Sequence, residues 1–494
     1  MKRVKDILEG VPVVQVQGDV EQLVRNLHYD SRRLEPGDGF VAVRGFTHDG
    51  HRFVEQAYQK GCRVFFVEDP VKLPDAVVVQ LPDTRRWLPF LARNFFDRAV
   101  EQLRVVGITG TNGKTTTAFL LYAVLERAGF RPGLITTVLY RIGDREQAAE
   151  RTTPEALDLH RMFYQMVRQG RKSVVMEVSS HALALHRTDG IPFAAAVFTN
   201  LGHDHLDFHG TLENYFAAKR RLFEELAETS RAVVNLDDAR SAEICAATRA
   251  DLWTYSLSDP QATVSLLERR LAVDGQFLRL RVPSGELHVT TGLVGRYNVA
   301  NILAAVATAL ALGVTEERIV EGIAAVQNVP GRCERLVAPG GTRIFVDYAH
   351  TPDALQQVME ALLEYQPERL IVVFGCGGDR DREKRPLMGR VAGDFADLIW
   401  VTSDNPRSED PAGIAEAIVQ GIAQKDKVKV ELDRRKAIAA ALQAAGRRDF
   451  VLIAGKGHET YQEVRGRRLP FDDRQVVREI LGLQKAPDEP SGRR

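Results

Sequence analysis

The stretch that most constrains this chain is Thr109-Gly110-Thr111-Asn112-Gly113-Lys114-Thr115-Thr116, set where a β-branched apolar run, LRVVGITG, gives way to a helical one, KTTTAFLLYAVLERAG. A strand that stops at glycines and restarts as a helix brings backbone N–H groups together at one point, which suits a phosphate chain. A lysine there neutralises phosphate charge, and the Thr115 hydroxyl can bind magnesium. The turn predicts a nucleotide-binding parallel sheet covered by helices. It is a variant of the general P-loop, because Ile108 stands where that pattern places its first glycine. A glycine-rich helix cap with no ligand is the alternative.

The grammar of strand then helix recurs. SVVMEVSS, AAAVFTN and RAVVNLDD read as further buried strands. After Cys333, RIFVDYAH, RLIVVFGCGG, LIWVTSDNPR and DFVLIAGKGHE do the same, which predicts a second, smaller doubly wound sheet. Before Leu103, short β-rich runs (GFVAVRG, CRVFFVED, VVVQL) between polar turns suggest a small α/β domain. A chain of 494 residues exceeds one hydrophobic core, and the usual domain size suggests about three. The expected fold is α/β in three domains, with boundaries at 1–100, 101–332 and 333–494. The terminal KAPDEPSGRR has no apolar periodicity and is expected to fray.

Lys plus Arg and Asp plus Glu are 66 each, so no global field attracts nucleic acid or an anionic membrane, and any anionic ligand must be held by local groups. Cys62, Cys245, Cys333 and Cys376 show no CxxC spacing, which argues against a disulfide framework or a zinc site and fits a reducing cytoplasm. MKRVKDILEG is followed by no apolar segment of signal-peptide type, and the most apolar helical stretch, 302–312, is too short to span a bilayer. Neither secretion nor membrane insertion is expected.

Glu177 closes the run VVMEVSSH, and His205 lies in TNLGHDHLDFHG after the next strand-like run. At the carboxyl edge of a parallel sheet such groups can complete a divalent-metal site beside the phosphates. Taken singly, Glu177 reads equally as a strand-end charge and His205 as a polar loop residue. Lys219, in ENYFAAKRRLFEEL, reads on periodicity as a solvated helix lysine.

GTNGK, VVMEVSSH and GHDHLDFHG together resemble the Mur ligases and the related folylpolyglutamate synthetases, and the resemblance runs from about residue 20 to about 475. It implies three domains: an N-terminal uridine-nucleotide domain, a central P-loop ATPase and a C-terminal Rossmann-like domain. ATP and Mg2+ would be held by Gly110, Thr111, Asn112, Gly113, Lys114, Thr115 and Thr116, with Glu177, His205 and Lys219, carbamylated by carbon dioxide, as metal ligands. GRYNVANILAA, VPGRCERL and VDYAHTPDAL resemble the family's adenine and interdomain segments, which nominates Asn301, Arg332 and Asp347; helix capping and turn formation are the bland alternatives.

The same resemblance gives Thr152, Thr153, Ser179 and Arg187 to a muramoyl dipeptide substrate, and Ser31 with the GFTHDGHRF run to its uridine diphosphate. Many relatives carry Asn before the paired threonines and Gln two positions before the arginine, where this chain has Arg151 and Leu185. Asp404-Asn405-Pro406-Arg407 matches the family motif for meso-diaminopimelate, which has one carboxylate more than lysine. Arg407 offers that carboxylate a planar bidentate partner. Arg380, Gly455 and Glu459 resemble the remaining contacts, the glutamate suiting an ammonium. The implied enzyme is a cytoplasmic, monomeric ATP-dependent amide ligase acting on UDP-N-acetylmuramoyl-L-alanyl-D-glutamate through an acyl phosphate. A lysine-adding sister ligase, a folylpolyglutamate synthetase or a non-catalytic nucleotide-binding protein are the competing readings.

Overall fold

A computed structural model describes residues 1–45, 48–272 and 274–483. The expected frayed terminus lies outside the described residues, as do Phe46 and Thr47 of the GFTHDGHRF run. The chain forms two compact units, Met1–Ser265 with Leu303–Gly322, and Leu266–Ile302 with Ile323–Arg494.

The first unit carries two sheets. In the smaller, Gln15–Gln17 (β1), Leu27–His28 (β2), Gly39–Val41 (β3), Val64–Val67 (β4) and Val77–Gln80 (β5) lie in the order β1-β5-β4-β3-β2. All neighbours are parallel except β1, which runs against β5. Helix α1 (Thr84–Phe95), capped by the Asp83 carboxylate on the Arg86 N–H, buries Leu88, Leu91 and Phe95 against this sheet.

The larger sheet is built on Arg104–Thr109 (β6). Helix α2 (Lys114–Arg127) follows it, and then come Pro132–Ile135 (β7), Leu139–Ile142 (β8), Arg145–Ala148 (β9), helix α3 (Ala156–Arg168) and Ser173–Glu177 (β10). After α4 (Ser180–Ala184) the chain continues through Phe193–Phe198 (β11), α5 (Leu212–Glu224), Arg231–Asn235 (β12) and Asp251–Ser256 (β13). Within this unit the order is β9-β8-β7-β10-β6-β11-β12-β13. From β7 to β13 every neighbour is parallel, and the central strands β6, β10, β11 and β12 are apolar runs because both faces are covered, whereas β13 opens with the exposed Asp251 and Leu252. Contrary to the parallel expectation, β8 runs antiparallel to both β7 and β9. Two tight turns cause this: one at Thr136–Val138, where the Thr136 N–H donates to the Leu139 carbonyl at 3.1 Å, reverses the chain after β7, and Gly143-Asp144, which pairs Ile142 with Arg145, reverses it after β8.

β6 lies between β10 and β11, so the loop after β6 opens where strands added on the two sides diverge, the usual ligand crevice of an open α/β sheet.

In the second unit, Gly275–Val282 (β14) and Gly285–Thr291 (β15) form an antiparallel hairpin. Helix α6 (Arg296–Ala311) has its first residues, to Ile302, in this unit, which continues with Glu334–Val337 (β16), Arg343–Asp347 (β17), Leu370–Phe374 (β18), Leu398–Val401 (β19), Val428–Val430 (β20) and Phe450–Ala454 (β21). Their order is β16-β17-β21-β18-β19-β20, parallel except for the edge strand β16. Alternate residues fill opposite cores: Phe345, Leu370, Val372 and Leu452 on one face, Ile344, Ile371, Val373 and Val451 on the other. This sheet has the Rossmann-like form expected.

Candidate functional site

The β6–α2 loop can take its shape only with glycine at position 110. Its φ is +146°, and a Cβ there would meet Thr199 Oγ1 at 1.9 Å. The next turn of chain after β11 holds the loop: Thr111 N–H donates to the Asn200 carbonyl at 2.9 Å, Asn112 N–H to Asn200 Oδ1 at 2.9 Å, and the Thr199 hydroxyl to the Asn112 carbonyl at 2.6 Å. Lys114 Nζ stands over the loop, donating to the carbonyls of Gly110 at 2.9 Å and Thr111 at 2.7 Å. Thr115 and Thr116 are buried in the first turn of α2, where backbone N–H groups lack intrahelical acceptors. Gly113 caps this helix.

Glu177, at the end of β10, is 1% exposed and organises the neighbouring elements. Its Oε1 accepts from the Thr115 hydroxyl and the Thr137 N–H, both at 2.9 Å, and its Oε2 accepts from the Thr137 hydroxyl at 3.1 Å. The Thr152 hydroxyl lies 3.1 Å from that of Thr137, which can accept its proton, and Thr153 donates to the Glu177 carbonyl at 2.9 Å. Ser179 returns its N–H to Thr153 Oγ1 at 3.0 Å and caps α4 through its own hydroxyl. Arg187 closes the group, donating to the Thr153 carbonyl at 3.1 Å and pairing with Glu155 at 2.7 Å. Burial holds its guanidinium below the ordinary arginine value, and its buried Nε has no partner among the described residues. The structure thus joins Thr115, Thr152, Thr153, Glu177, Ser179 and Arg187 in one network. The departures Arg151 and Leu185 flank it, Arg151 half-released to solvent and pairing with Glu155 at 3.3 Å.

Lys219 is not the solvated helix lysine expected from its charged helix. It is 1% exposed, stacks over Tyr215 at 4.1 Å and donates to the Gly110 carbonyl at 2.9 Å. Burial, reinforced by the Lys114 charge, pushes its amine well below the usual lysine value. Tyr215 also reaches the Thr111 hydroxyl at 3.1 Å. His205 lies 6.1 Å from the Tyr215 ring and 4.7 Å edge-on from His181, and burial lowers its imidazole with help from Lys114 and Lys219. His181 and His209 stand at about 4, burial being the main cause. Thr137, Asn200 and Tyr215 escaped the sequence reading. Only Tyr215 carries a signal there, lying one helical turn before Lys219.

Ser31 sits apart from this network, in the smaller sheet's region. It is 7% exposed, with its hydroxyl 3.4 Å from Gln56 and its carbonyl accepting from Lys60 at 2.9 Å. Asp49, His51 and Asp69 cluster nearby with the spacing of metal ligands. However, His51 Nε2 accepts the Glu68 N–H at 2.8 Å while Nδ1 faces Asp49 at 2.7 Å, so the imidazole has no lone pair to give.

In the second unit the expected residues gather at the carboxyl ends of β18, β19 and β21. Arg407, at φ +53°, donates through Nη1 to the Gly378 carbonyl at 2.6 Å and lies 3.4 Å from Glu463. Pro406 is buried beside it. Asn405 donates through Nδ2 to Glu459 Oε2 at 2.8 Å. Asp404 Oδ2 is buried without a partner among the described residues, close to Gly455, where φ is +111° and a Cβ would meet that oxygen at 2.6 Å. Arg380 is exposed on the following loop. Asp347, ending β17, accepts the N–H groups of Cys333 at 2.5 Å and Ala349 at 2.7 Å, and burial raises its carboxyl. Arg332 lies over the Tyr348 ring at 4.8 Å. Asn301 donates to Asn298 Oδ1 at 3.0 Å inside α6.

Three family models match in chain order: the Mur ligase family catalytic domain over residues 23–96, the Mur ligase middle domain over 108–309 and the Mur ligase glutamate ligase domain over 331–457. The chain is similar to the UDP-N-acetylmuramoyl-L-alanyl-D-glutamate--2,6-diaminopimelate ligase of Clostridium perfringens, at 40% identity covering 97% of this chain and 99% of the relative. It is 43% identical to the protein of the same name from Aquifex aeolicus, over 93% of this chain and 94% of that one. A solved structure of a ligase of that name superposes with a TM-score of 0.71 at 33% identity, covering 97% of this chain and 99% of the other. Matched so over nearly its whole length, and carrying the loop, the carboxylate and the buried lysine described above, the chain belongs to the Mur ligase family of ATP-dependent ligases.

Proposed function

We propose that this enzyme joins meso-diaminopimelate to the γ-carboxylate of the D-glutamate in UDP-N-acetylmuramoyl-L-alanyl-D-glutamate, cleaving ATP to ADP and phosphate, in the cytoplasmic synthesis of peptidoglycan precursors. The observation that carries this reading is the Asp404–Arg407 turn at the carboxyl end of β19, with Asn405 tied to Glu459, in a chain whose relatives bear that reaction in their names. We assign uridine-nucleotide binding, ATP hydrolysis and amino-acid selection to 1–100, 101–332 and 333–494 in turn, and expect a monomer. Among the described residues no helix is long and apolar enough to cross a membrane.

A carboxylate is a poor electrophile, so the reaction has two steps. A glutamate oxygen attacks the γ-phosphorus of ATP, ADP leaves, and an acyl phosphate forms. The diaminopimelate amine then attacks the acyl carbon, phosphate departs, and a proton is lost from nitrogen. Lys114 and the N-terminus of α2 lie where phosphate charge must be neutralised. Arg187, with Thr152, Thr153 and Ser179, suits the substrate's carboxylate and orients it toward the loop. Arg332, Asp347 and Asn301 are assigned to the nucleotide, and Arg380, Arg407, Asn405, Gly455 and Glu459 to the amino acid.

The donor set fits Mg2+. The Thr115 hydroxyl and the Glu177 carboxylate already touch, at 2.9 Å, and burial favours the neutral imidazole of His205, the form that can ligate. Lys219 joins as a carbamate. Its depressed amine can attack carbon dioxide as the neutral base, forming an N–C bond and releasing one proton. Bound there, magnesium would supply charge stabilisation for phosphoryl transfer.

Phosphate release with ATP, magnesium, the UDP-linked dipeptide and either meso-diaminopimelate or L-lysine tests the proposal, with the product identified by mass. Release with diaminopimelate alone supports it. Equal use of lysine removes the amino-acid assignment, and no release with either leaves a nucleotide-binding protein.

A further inference from the structure

Lys456 lies in the second unit just past β21 and is 0% exposed, so it is out of reach of any ligand in the cleft. Its ammonium nevertheless touches two of the groups assigned to the amino acid: Nζ donates to Asn405 Oδ1 at 3.1 Å and to Glu459 Oε2 at 3.0 Å. Asn405 Nδ2 donates to the same Glu459 oxygen at 2.8 Å, and Asn405 Oδ1 accepts a further N–H, from Glu463, at 2.9 Å. These bonds admit one orientation of the Asn405 amide. A flip would point its NH2 at the Lys456 ammonium and at the Glu463 N–H, donor against donor. They also fasten one oxygen of Glu459 and leave Oε1 with no protein donor among the described residues. A carboxylate fixed at one oxygen and open at the other is what an incoming ammonium group needs.

We propose that Lys456 is a positioning residue for the amino-acid substrate, acting wholly through Glu459 and Asn405. The inference rests on the amino-acid site assigned above. Two effects of opposite sign follow from removing the lysine charge. As a like charge, Lys456 repels the ligand's ammonium, so its loss would tighten binding if simple electrostatics governed. As the anchor of Glu459, its loss frees the carboxylate to rotate away from the ligand, which weakens binding. Anchoring prevails because the cation is buried behind its two partners, where it forms charge-assisted hydrogen bonds with both.

The test is a double-mutant cycle in the full-length enzyme. Lys456→Met, Glu459→Gln and the double variant are assayed for kcat and for KM toward whichever of meso-diaminopimelate or L-lysine the enzyme uses, with KM for ATP as reference and Lys456→Gln as a second replacement. Lys456→Met is expected to raise the amino-acid KM about tenfold, with kcat and the ATP KM within about twofold. In the Glu459→Gln background the same change should add less than about threefold. An unchanged or lowered amino-acid KM in both lysine variants overturns the inference, as does full additivity of the two substitutions. If Glu459→Gln itself leaves the amino-acid KM unmoved, the site assignment fails and takes the inference with it. A lysine effect absent beside a strong glutamate effect defeats the inference alone.

Discussion

Replacing Arg407 by alanine should lower kcat/KM for meso-diaminopimelate about 10- to 30-fold while leaving whatever turnover L-lysine supports unchanged. The size follows from the surroundings. A charge-assisted hydrogen bond contributes about 1.5–3 kcal/mol. The Arg407 side chain is 23% exposed and shares its charge with Glu463 at 3.4 Å, so the lower part of that range applies. About 1.5–2 kcal/mol converts to the stated factor. The substitution leaves the scaffold alone: alanine keeps a Cβ at φ +53°, and the Arg407 N–H to Glu463 and the Arg465 N–H to Arg407 remain. What is lost inside the protein is one bond to the Gly378 carbonyl and one partly exposed ion pair. The melting temperature should therefore move by only a few degrees. The assay is phosphate release at saturating ATP and UDP-linked dipeptide with each amino acid titrated. An unchanged ratio of the two kcat/KM values, or an equal fall for lysine, would refute the reasoning.

Three further outcomes follow from buried groups. Lys219→Met should abolish ligation yet stabilise the ligand-free protein near pH 7. The unfolded lysine is protonated up to its ordinary value while the folded one is held well below it, so folding gives up a proton, and the gain from methionine should shrink in melts run toward pH 10. Asp473→Ala should destabilise by about 3–5 kcal/mol in urea unfolding, because it strands Arg434 in a pair whose side chains are both 0% exposed. Arg434→Met with Asp473→Leu should recover most of that loss; a double variant as unstable as the single one refutes the account. Gly110→Ala should cut ligation about 100-fold, with a raised KM for ATP, since the new Cβ collides with Thr199 at 1.9 Å; an ATP titration identical to wild type would contradict this.

The central strands were legible because burial on both faces leaves an unbroken apolar run, as in β6, β10, β11, β12, β18 and β21. The antiparallel additions were not. β8 and β9 are four residues each, and only the Gly143-Asp144 pair between them marks a hairpin. β14 and β15 do alternate, in GQFLRLRV and GELHVTT, but a lone two-stranded hairpin gives a weaker signal than the repeated strand-helix units around it. Among site residues, the glycines, lysine and threonines of the loop followed from phosphate chemistry. Thr137, which gives Glu177 two of its hydrogen bonds, belongs to no chemical pattern and is visible only once β7 and β10 are adjacent.

Two lysines show where periodicity misleads and where it was misread. The helix of Lys219 is rich in charge, yet it buries Tyr215, Phe216, Leu222 and Phe223, and position 219 is three or four residues from each of them. That spacing puts the lysine in the apolar stripe, so the sequence did contain the sign of a buried amine; helix composition obscured it. Lys456 carries no comparable sign. It lies in an irregular segment after β21, where neither a period of 2 nor one of 3.6 applies, and its burial follows from the return of β21 between β17 and β18. A buried cation on a periodic element can therefore be found from its spacing, whereas one at a strand end is found only from topology. Both lysines lie near the carboxyl edge of a sheet, which is where the crossing connections of an open α/β fold enclose short loops and the ligands they hold.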